Sequence, residues 1–134
     1  MDWKGRKVLV TGAGGFIGSH LAEALAERGA EVTALVRYTS RGSAGFLDGA
    51  ADKFRILAND ITEAGGVLAA MEGQEYVFHL AALIGIPFSF EHPEEVLQVN
   101  TVGTLNVLNA ARRTNPRRVV LTSTSEVYGT AQYV

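Results

Sequence analysis

Thr11-Gly12-Ala13-Gly14-Gly15-Phe16-Ile17-Gly18 decides how this chain reads. Just before it, Lys7–Thr11 (KVLVT) is a short β-rich run bounded by polar residues and then glycine, the pattern of a buried strand. Just after it, residues 15–28 carry Ile17, Leu21, Ala24 and Leu25 at helical spacing, and Gly29 supplies a stop. Between strand and helix the glycines fall at 12, 15 and 18. Gly12 permits the tight turn, Gly15 lets backbone approach a pyrophosphate, and Gly18 lets the helix pack closely on the sheet. The helix start, with Phe16 and Ile17 in its first turn, offers unpaired N–H groups and the positive end of its dipole to phosphates. A glycine triplet alone could be a turn with no ligand; one set between a strand and an amphipathic helix specifies dinucleotide binding far better. No lysine follows at the Walker spacing, which argues against a P-loop nucleotidase.

Working outward, residues 31–37 read as a second strand. Residues 38–53 are polar, glycine-containing and basic, a loop with room for one short helix. Residues 54–58 form a third strand ending at Asn59-Asp60, and residues 62–71 a helix with Thr62 as its N-cap. Residues 75–80 are a fourth strand. His92-Pro93 opens a long helix whose Val96, Val99, Val102, Leu105, Val107 and Leu108 give apolar faces on more than one side. Residues 117–122 are a fifth strand. The pattern β-α-β-β-α-β-α-β predicts an α/β fold: a doubly wound parallel sheet of the Rossmann type, about five strands in the order 3-2-1-4-5. Ligands of such sheets bind outside the carboxyl ends of the strands, where strand order reverses. Here that point lies between the first and fourth strands, so the informative residues follow Thr11, Arg37, Ala58, Leu80 and Thr122.

The bulk properties set limits around this reading. A chain of 134 residues suffices for one domain and sits near the lower end for an α/β enzyme. With 47% apolar and 19% charged residues it is neither a disordered tail nor a coiled coil. A net charge of −2 gives no general attraction to nucleic acid or to an anionic membrane. No apolar run approaches the roughly 20 residues of a spanning helix, and the N-terminus does not read as a signal peptide. The absence of cysteine excludes disulfides and cysteine-held metal, which fits a cytoplasmic protein, and no metal site is expected.

The second strand bears on the choice of nicotinamide cofactor. Sites for NAD usually place an acid at its end, on the ribose 2′-hydroxyl. This chain reads Leu35-Val36-Arg37-Tyr38 there, with no acid before Asp48. Arg37, with Arg41 as a helper, is suited to a 2′-phosphate, so NADP is favoured over NAD; the plainer reading is a solvated loop arginine. Asp60 is placed to accept a hydrogen bond from the adenine amino group, or to cap the following helix, and the two roles are compatible.

Several further stretches, TGAGGFIGSHL (11–21), Asn59-Asp60-Ile61, HLAA (79–82), NTVGTLNVL (100–108) and STSEVYG (123–129), make the chain resemble the N-terminal portion of extended short-chain dehydrogenases/reductases, the nucleotide-sugar epimerases and dehydratases. The likeness covers almost all 134 residues. It implies that Ile61 joins Asp60 in the cofactor site. It sets Leu80, Ala81 and Ala82 beside the ribose and nicotinamide, with Thr122 at the end of the fifth strand. Asn100 would stand near the nicotinamide, or bond within the helical bundle. His79 reads as a satisfied structural histidine, His20 as a helix-face residue and His92 as a cap. Thr124 matches the family's active-site Ser/Thr, whose hydroxyl bonds the sugar 4-oxygen; on residue type alone it would be a satisfied turn threonine.

Glu126 narrows the resemblance toward nucleotide-sugar 4,6-dehydratases and UDP-glucuronate decarboxylases. A ketone at C4 acidifies C5, and a carboxylate at position 126 is suited to take that proton; the alternative is a solvated loop acid. Many dTDP-glucose-type members carry an acid where this chain has Ser125. The stretches HLAALIGIPFSF and TSEVYGTAQYV look most like the 4,6-dehydratases acting on UDP- or GDP-linked N-acetylglucosamine in legionaminic-type pathways.

The family's chemistry also needs a tyrosine with a lysine four residues on. Tyr128 and Tyr133 have none, and the last lysine is Lys53. The expectation is therefore residues 1–134 as a truncated NAD(P)-binding domain, without the sixth strand, the YxxxK helix or the substrate domain, and inactive alone. The uncovered apolar surface around residues 96–108 leads us to expect a homodimer. The alternatives are a 4-epimerase or UDP-glucuronate decarboxylase, and a non-catalytic dinucleotide-binding module.

Overall fold

The computed structural model describes residues 2–37, 42–130 and 132. Five parallel strands form one sheet in the order β3-β2-β1-β4-β5: β1 (Lys7–Thr11), β2 (Glu31–Val36), β3 (Arg55–Ala58), β4 (Tyr76–His79) and β5 (Arg118–Leu121). The order expected from the sequence is the order observed. Thr11 lies opposite both Leu35 and His79, Val36 opposite Ala58, and His79 opposite Leu121. The strands thus finish nearly level, and the loops that follow them share one rim.

Alternate residues of the central strands face two different cores, as the two-residue repeat of a strand requires. On one face Val8, Val10, Ala34 and Val36 pack with Ala22 and Leu25 of α1 (Phe16–Glu27). On the other, Leu9, Leu35 and Val77 meet Val67 and Met71 of α2 (Ala64–Met71) and Val107 and Ala110 of α5 (Thr104–Thr114). Cover on both faces explains why β1 and β2 read as continuous apolar runs. Trp3 closes part of the first face, its ring 5.1 Å from that of Tyr76 and 6.2 Å from that of Phe78.

The structure corrects the sequence reading in four places. Thr62 is not the N-cap of α2. The Asp60 carboxylate accepts from both the N–H (2.9 Å) and the hydroxyl (2.8 Å) of Thr62, so the helix begins two residues later, with Glu63 at the N-cap. The stretch read as a loop with room for one short helix holds two 3-10 turns, Gly45–Leu47 and Ala51–Lys53, and Leu47 of the first is wholly buried in the core. An additional helix, α3 (Ile86–Glu91), precedes the long one, with Pro87 in its first turn.

The long helix itself is interrupted. It runs as α4 (Pro93–Leu97), a π-helical stretch Gln98–Gly103, and α5. Two contacts accompany the wider turn: Asn100 reaches back to the loop after β4, and Gly103 sits so close to Ile61 that a Cβ there would lie 2.6 Å from Ile61 Cδ1. Of the apolar residues expected on this helix, Leu105 and Leu108 remain 53% and 45% exposed, beside Leu97 at 59%, whereas Val107 is buried and Val96, Val99 and Val102 are half-buried. No helix among the described residues is long and apolar enough to cross a membrane.

Candidate functional site

The residues singled out from the sequence gather along the rim formed by the carboxyl ends of the strands. From one edge to the other the order is Asp60 and Ile61 after β3, Arg37 after β2, the glycine loop after β1, Leu80 to Ala82 after β4, and Thr122 to Glu126 after β5. Arg41 lies outside the described residues.

At the centre, Gly12 adopts φ +69°, and a Cβ there would come 2.7 Å from the Ala81 nitrogen and 2.8 Å from the Leu80 carbonyl carbon. Only glycine suits a left-handed turn pressed this tightly against the start of the neighbouring loop. Gly18 is equally constrained: a Cβ would meet the Gly12 carbonyl oxygen, and would sit 2.8 Å from the Gly12 carbonyl carbon. Gly15 faces only the Gly12 oxygen, at 3.3 Å, and is otherwise open. The N–H groups of Phe16, Ile17 and Gly18 have no hydrogen-bond partner among the described residues, and no side chain caps α1. No acid stands in the first turn. Three free donors at a positive helix end, reached over an open glycine, fit a diphosphate. The side chains of Phe16 and Ile17 are 64% and 67% exposed beside them.

The segment after β2 walls the loop on one side. The Phe46 N–H donates to Gly14 O at 3.1 Å, and the Phe46 ring meets Phe16 edge-on at 5.9 Å. Asp48 fastens this wall by accepting from Ser43 Oγ (2.6 Å) and the Ala44 N–H (2.5 Å), bonds that hold its carboxyl below the usual carboxylate range. Arg37, just past β2, pairs with Glu95 of α4 at 3.7 Å. Nothing in the sequence pointed to that partner, which lies 58 positions away.

Asp60 spends one carboxylate oxygen on Thr62; no partner is seen for the other among the described residues. It therefore both shapes the turn and retains an acceptor at the rim. The Ile61 side chain is buried in the second core, and the Ile61 carbonyl accepts from Asn106 Nδ2 at 3.0 Å.

After β4, the Leu80 N–H donates to Thr11 O (3.2 Å) and the Ala81 N–H to Thr11 Oγ1 (3.2 Å). Ala82 is exposed. Asn100 grips Leu83 by both backbone groups: Oδ1 accepts from the N–H at 2.8 Å, and Nδ2 donates to the carbonyl at 2.9 Å. Of its two readings, the structure gives it intramolecular partners, and those partners belong to the loop over the rim. His79 is buried and bonded at both ring nitrogens, to Thr11 Oγ1 (2.7 Å) and Thr104 Oγ1 (3.1 Å). His92 stands at the N-cap of α4 without a side-chain bond.

After β5, the Thr122 N–H donates to His79 O at 3.1 Å. Thr124 caps the 3-10 turn Ser125–Tyr128, its hydroxyl oxygen accepting from the Glu126 N–H at 3.2 Å. Thr124 and Glu126 are both exposed at the end of the rim nearest β5. A concavity of about 370 Å³ between α2 and α5, lined by Leu68, Asn106, Asn109 and Arg112, lies away from this rim.

The geometry defines an α/β protein of the Rossmann type, and comparison with known proteins narrows the class. Residues 8–134 match the model of the NAD dependent epimerase/dehydratase family, and the chain belongs to that family. It is 36% identical over 124 residues to the UDP-N-acetyl-alpha-D-glucosaminuronate decarboxylase of Bacillus cytotoxicus, covering 92% of this chain and 38% of the relative. It is 39% identical over 125 residues to the dTDP-glucose 4,6-dehydratase of Mycolicibacterium smegmatis, again covering 92% and 38%. The structure of MoeE5 in complex with UDP-glucose and NAD superposes with a TM-score of 0.79 at 36% identity, over 96% of this chain and 40% of that one. The chain thus spans about 40% of the length of the relatives it matches.

Proposed function

We propose that this chain is the cofactor-binding half of a nucleotide-sugar 4,6-dehydratase: oxidation at C4, loss of water across C5 and C6, and return of hydride. The observation that carries the reading is the continuous rim from Asp60 to Glu126, with the free N–H groups of Phe16, Ile17 and Gly18 at its middle. The rim suits a dinucleotide laid across it. Asp60 and the Ile61 backbone would meet adenine, Gly12 to Gly18 the pyrophosphate, and Leu80 to Ala82, Asn100 and Thr122 the nicotinamide side. When bound, the nicotinamide supplies hydride acceptance and return.

Arg37 supports a preference for NADP, since its guanidinium can exchange the Glu95 carboxylate for a 2′-phosphate. The MoeE5 relative binds NAD, so this preference rests on Arg37. At the other end, the Thr124 hydroxyl is engaged only as an acceptor among the described residues, which leaves its hydrogen for a sugar 4-oxygen. Glu126, one residue beyond Ser125, is the candidate base at C5. Decarboxylases share an acid at this position by the resemblance above, and one of the relatives is such an enzyme; decarboxylation is therefore the second reading. The chain has no tyrosine with a lysine four residues on, so we assign it cofactor binding without turnover by itself. The exposed Leu97, Leu105 and Leu108 suit pairing with a second copy in a homodimer, and a cytoplasmic setting suits a cysteine-free enzyme of nucleotide sugars.

Titration of the chain with NADPH and NADH, followed by nicotinamide fluorescence and thermal stability, tests the cofactor reading. Binding of both, tighter for NADPH, is expected; no binding to either would overturn it. A form continued through a YxxxK helix and sugar domain should yield a 4-keto-6-deoxy sugar. A pentose product would favour the decarboxylase, a 4-epimer the epimerase, and binding with no product the non-catalytic module.

A further inference from the structure

We propose that His79 is a positioning residue: in its neutral Nε2–H form it fixes residues 80–83, the strip beside the nicotinamide half of the site. The inference rests on the dinucleotide reading above. The tautomer follows from counting hydrogens. The Thr104 hydroxyl donates its one hydrogen to the Asn100 carbonyl at 2.7 Å, so its oxygen accepts from His79 Nε2–H. His79 Nδ1 is then the bare nitrogen and accepts from the Thr11 hydroxyl at 2.7 Å. With its hydrogen spent there, Thr11 Oγ1 is free to accept the Ala81 N–H. Each donor and acceptor in this chain has one role, and reversing any bond orphans another.

The chain begins at Ala81 and ends at Asn100, whose side chain returns to both backbone groups of Leu83. Two residues of the same loop are therefore held from opposite ends of one hydrogen-bond path through the molecule. The path ties β1, β4 and the π-helical stretch to the strip, with Asn100 inside that stretch and Thr104 directly after it. A protonated His79 would present Nδ1–H to Thr11 Oγ1, turning that hydroxyl away from its only acceptor among the described residues. Thr11 is fully buried, so the displaced hydrogen finds no water. No charged group among the described residues compensates: Lys7 on β1 and Arg118 on β5 stand at the opposite ends of their strands, Glu75 precedes β4, and Arg112 and Arg113 lie in the last turn of α5. Burial alone lowers the histidine's pKa, in keeping with the geometry.

Two measurements on the 134-residue chain test this. Nitrogen NMR of the histidine rings, assigned with His79→Phe, should show His79 protonated at Nε2 and bare at Nδ1 at neutral pH. A proton on Nδ1 would overturn the proposal without any variant having to fold. Thr104→Val removes the acceptor of Nε2–H, and Thr104→Ser keeps it. The loss of one buried hydrogen bond corresponds to about tenfold in affinity. NADH should therefore bind about tenfold more weakly to Thr104→Val, with AMP, which does not reach the strip, unchanged. Thr104→Ser should restore NADH binding. Equal weakening of AMP and NADH, or no weakening of either, would refute the positioning role. If AMP and NADH both fail to bind the unaltered chain, the dinucleotide reading itself falls, and the positioning role with it.

Discussion

Replacing Gly15 or Gly18 by alanine adds one methyl group to the same turn, and the structure separates the two consequences. At position 18 the new Cβ would press on the Gly12 carbonyl, 2.8 Å from its carbon, and lie 2.9 Å from Ala13 Cα. Carbon atoms pack at about 3.5 Å or more, so the start of α1 would have to withdraw by about 0.7 Å. Such overpacking costs about 1–3 kcal/mol, and the shift also moves the free N–H groups of Phe16 and Ile17 off the phosphate position. At position 15 the backbone lies at φ −80°, ψ 169°, which alanine adopts freely, and the nearest atom is 3.3 Å away. Gly15→Ala should therefore change stability by no more than about 1 kcal/mol, the restriction of the unfolded chain opposing the tight contact with the Gly12 oxygen. Its methyl group nevertheless takes up the open space beside Gly15 to which the proposal assigns the pyrophosphate, and NADH affinity should fall about tenfold, or roughly 1.4 kcal/mol. Urea unfolding and NADH titration of both variants give the two numbers. Wild-type NADH affinity in Gly15→Ala would refute the placing of the pyrophosphate. Unchanged stability in Gly18→Ala would refute the account of the turn.

Arg37→Ala should weaken NADPH about tenfold, the scale of a charge-assisted hydrogen bond, and leave NADH within about twofold, as read by nicotinamide fluorescence. Because His79 takes up its proton less readily when folded than its ordinary 6.5, the unfolded chain binds that proton first. The contribution of His79 to stability is thus fully present above pH 6.5 and declines as the pH falls from there through the folded value; thermal melts at stepped pH should show the decline, and His79→Gln should flatten it. Trp3 is the chain's only tryptophan, so its emission reports on the face of β4. Trp3→Ala should cost about 2 kcal/mol, less than a fully buried aromatic, measured by urea unfolding followed by circular dichroism. In a form carrying the YxxxK helix, Glu126→Gln should abolish solvent deuterium exchange at sugar C5 while cofactor binding persists; unimpaired exchange would remove Glu126 from the chemistry.

Most of the fold was legible because its signals are local. A glycine triplet between an apolar run and an amphipathic run specifies a strand, a tight turn and a helix within about twenty residues, and strand order follows from the handedness of crossovers. The rim positions of Gly12, Asp60, Leu80 and Thr124 follow from that order, since each comes within three residues of a strand's end. The boundary errors were also local in cause. Asp60 and Thr62 both belong to residue types that cap helices, and only the three-dimensional turn shows that Asp60 captures Thr62.

What the sequence by itself determined about this protein is therefore the architecture, the family resemblance and the rim. The π-helical interruption, the burial of Leu47, the Arg37–Glu95 pair and the path through Thr11, His79, Thr104 and Asn100 were decided by tertiary structure. These join residues as far apart as Thr11 and Ala81. Propensity and periodicity describe a residue's neighbours along the chain, whereas the direction of a hydrogen bond depends on which distant donor or acceptor packing brings within about 3 Å.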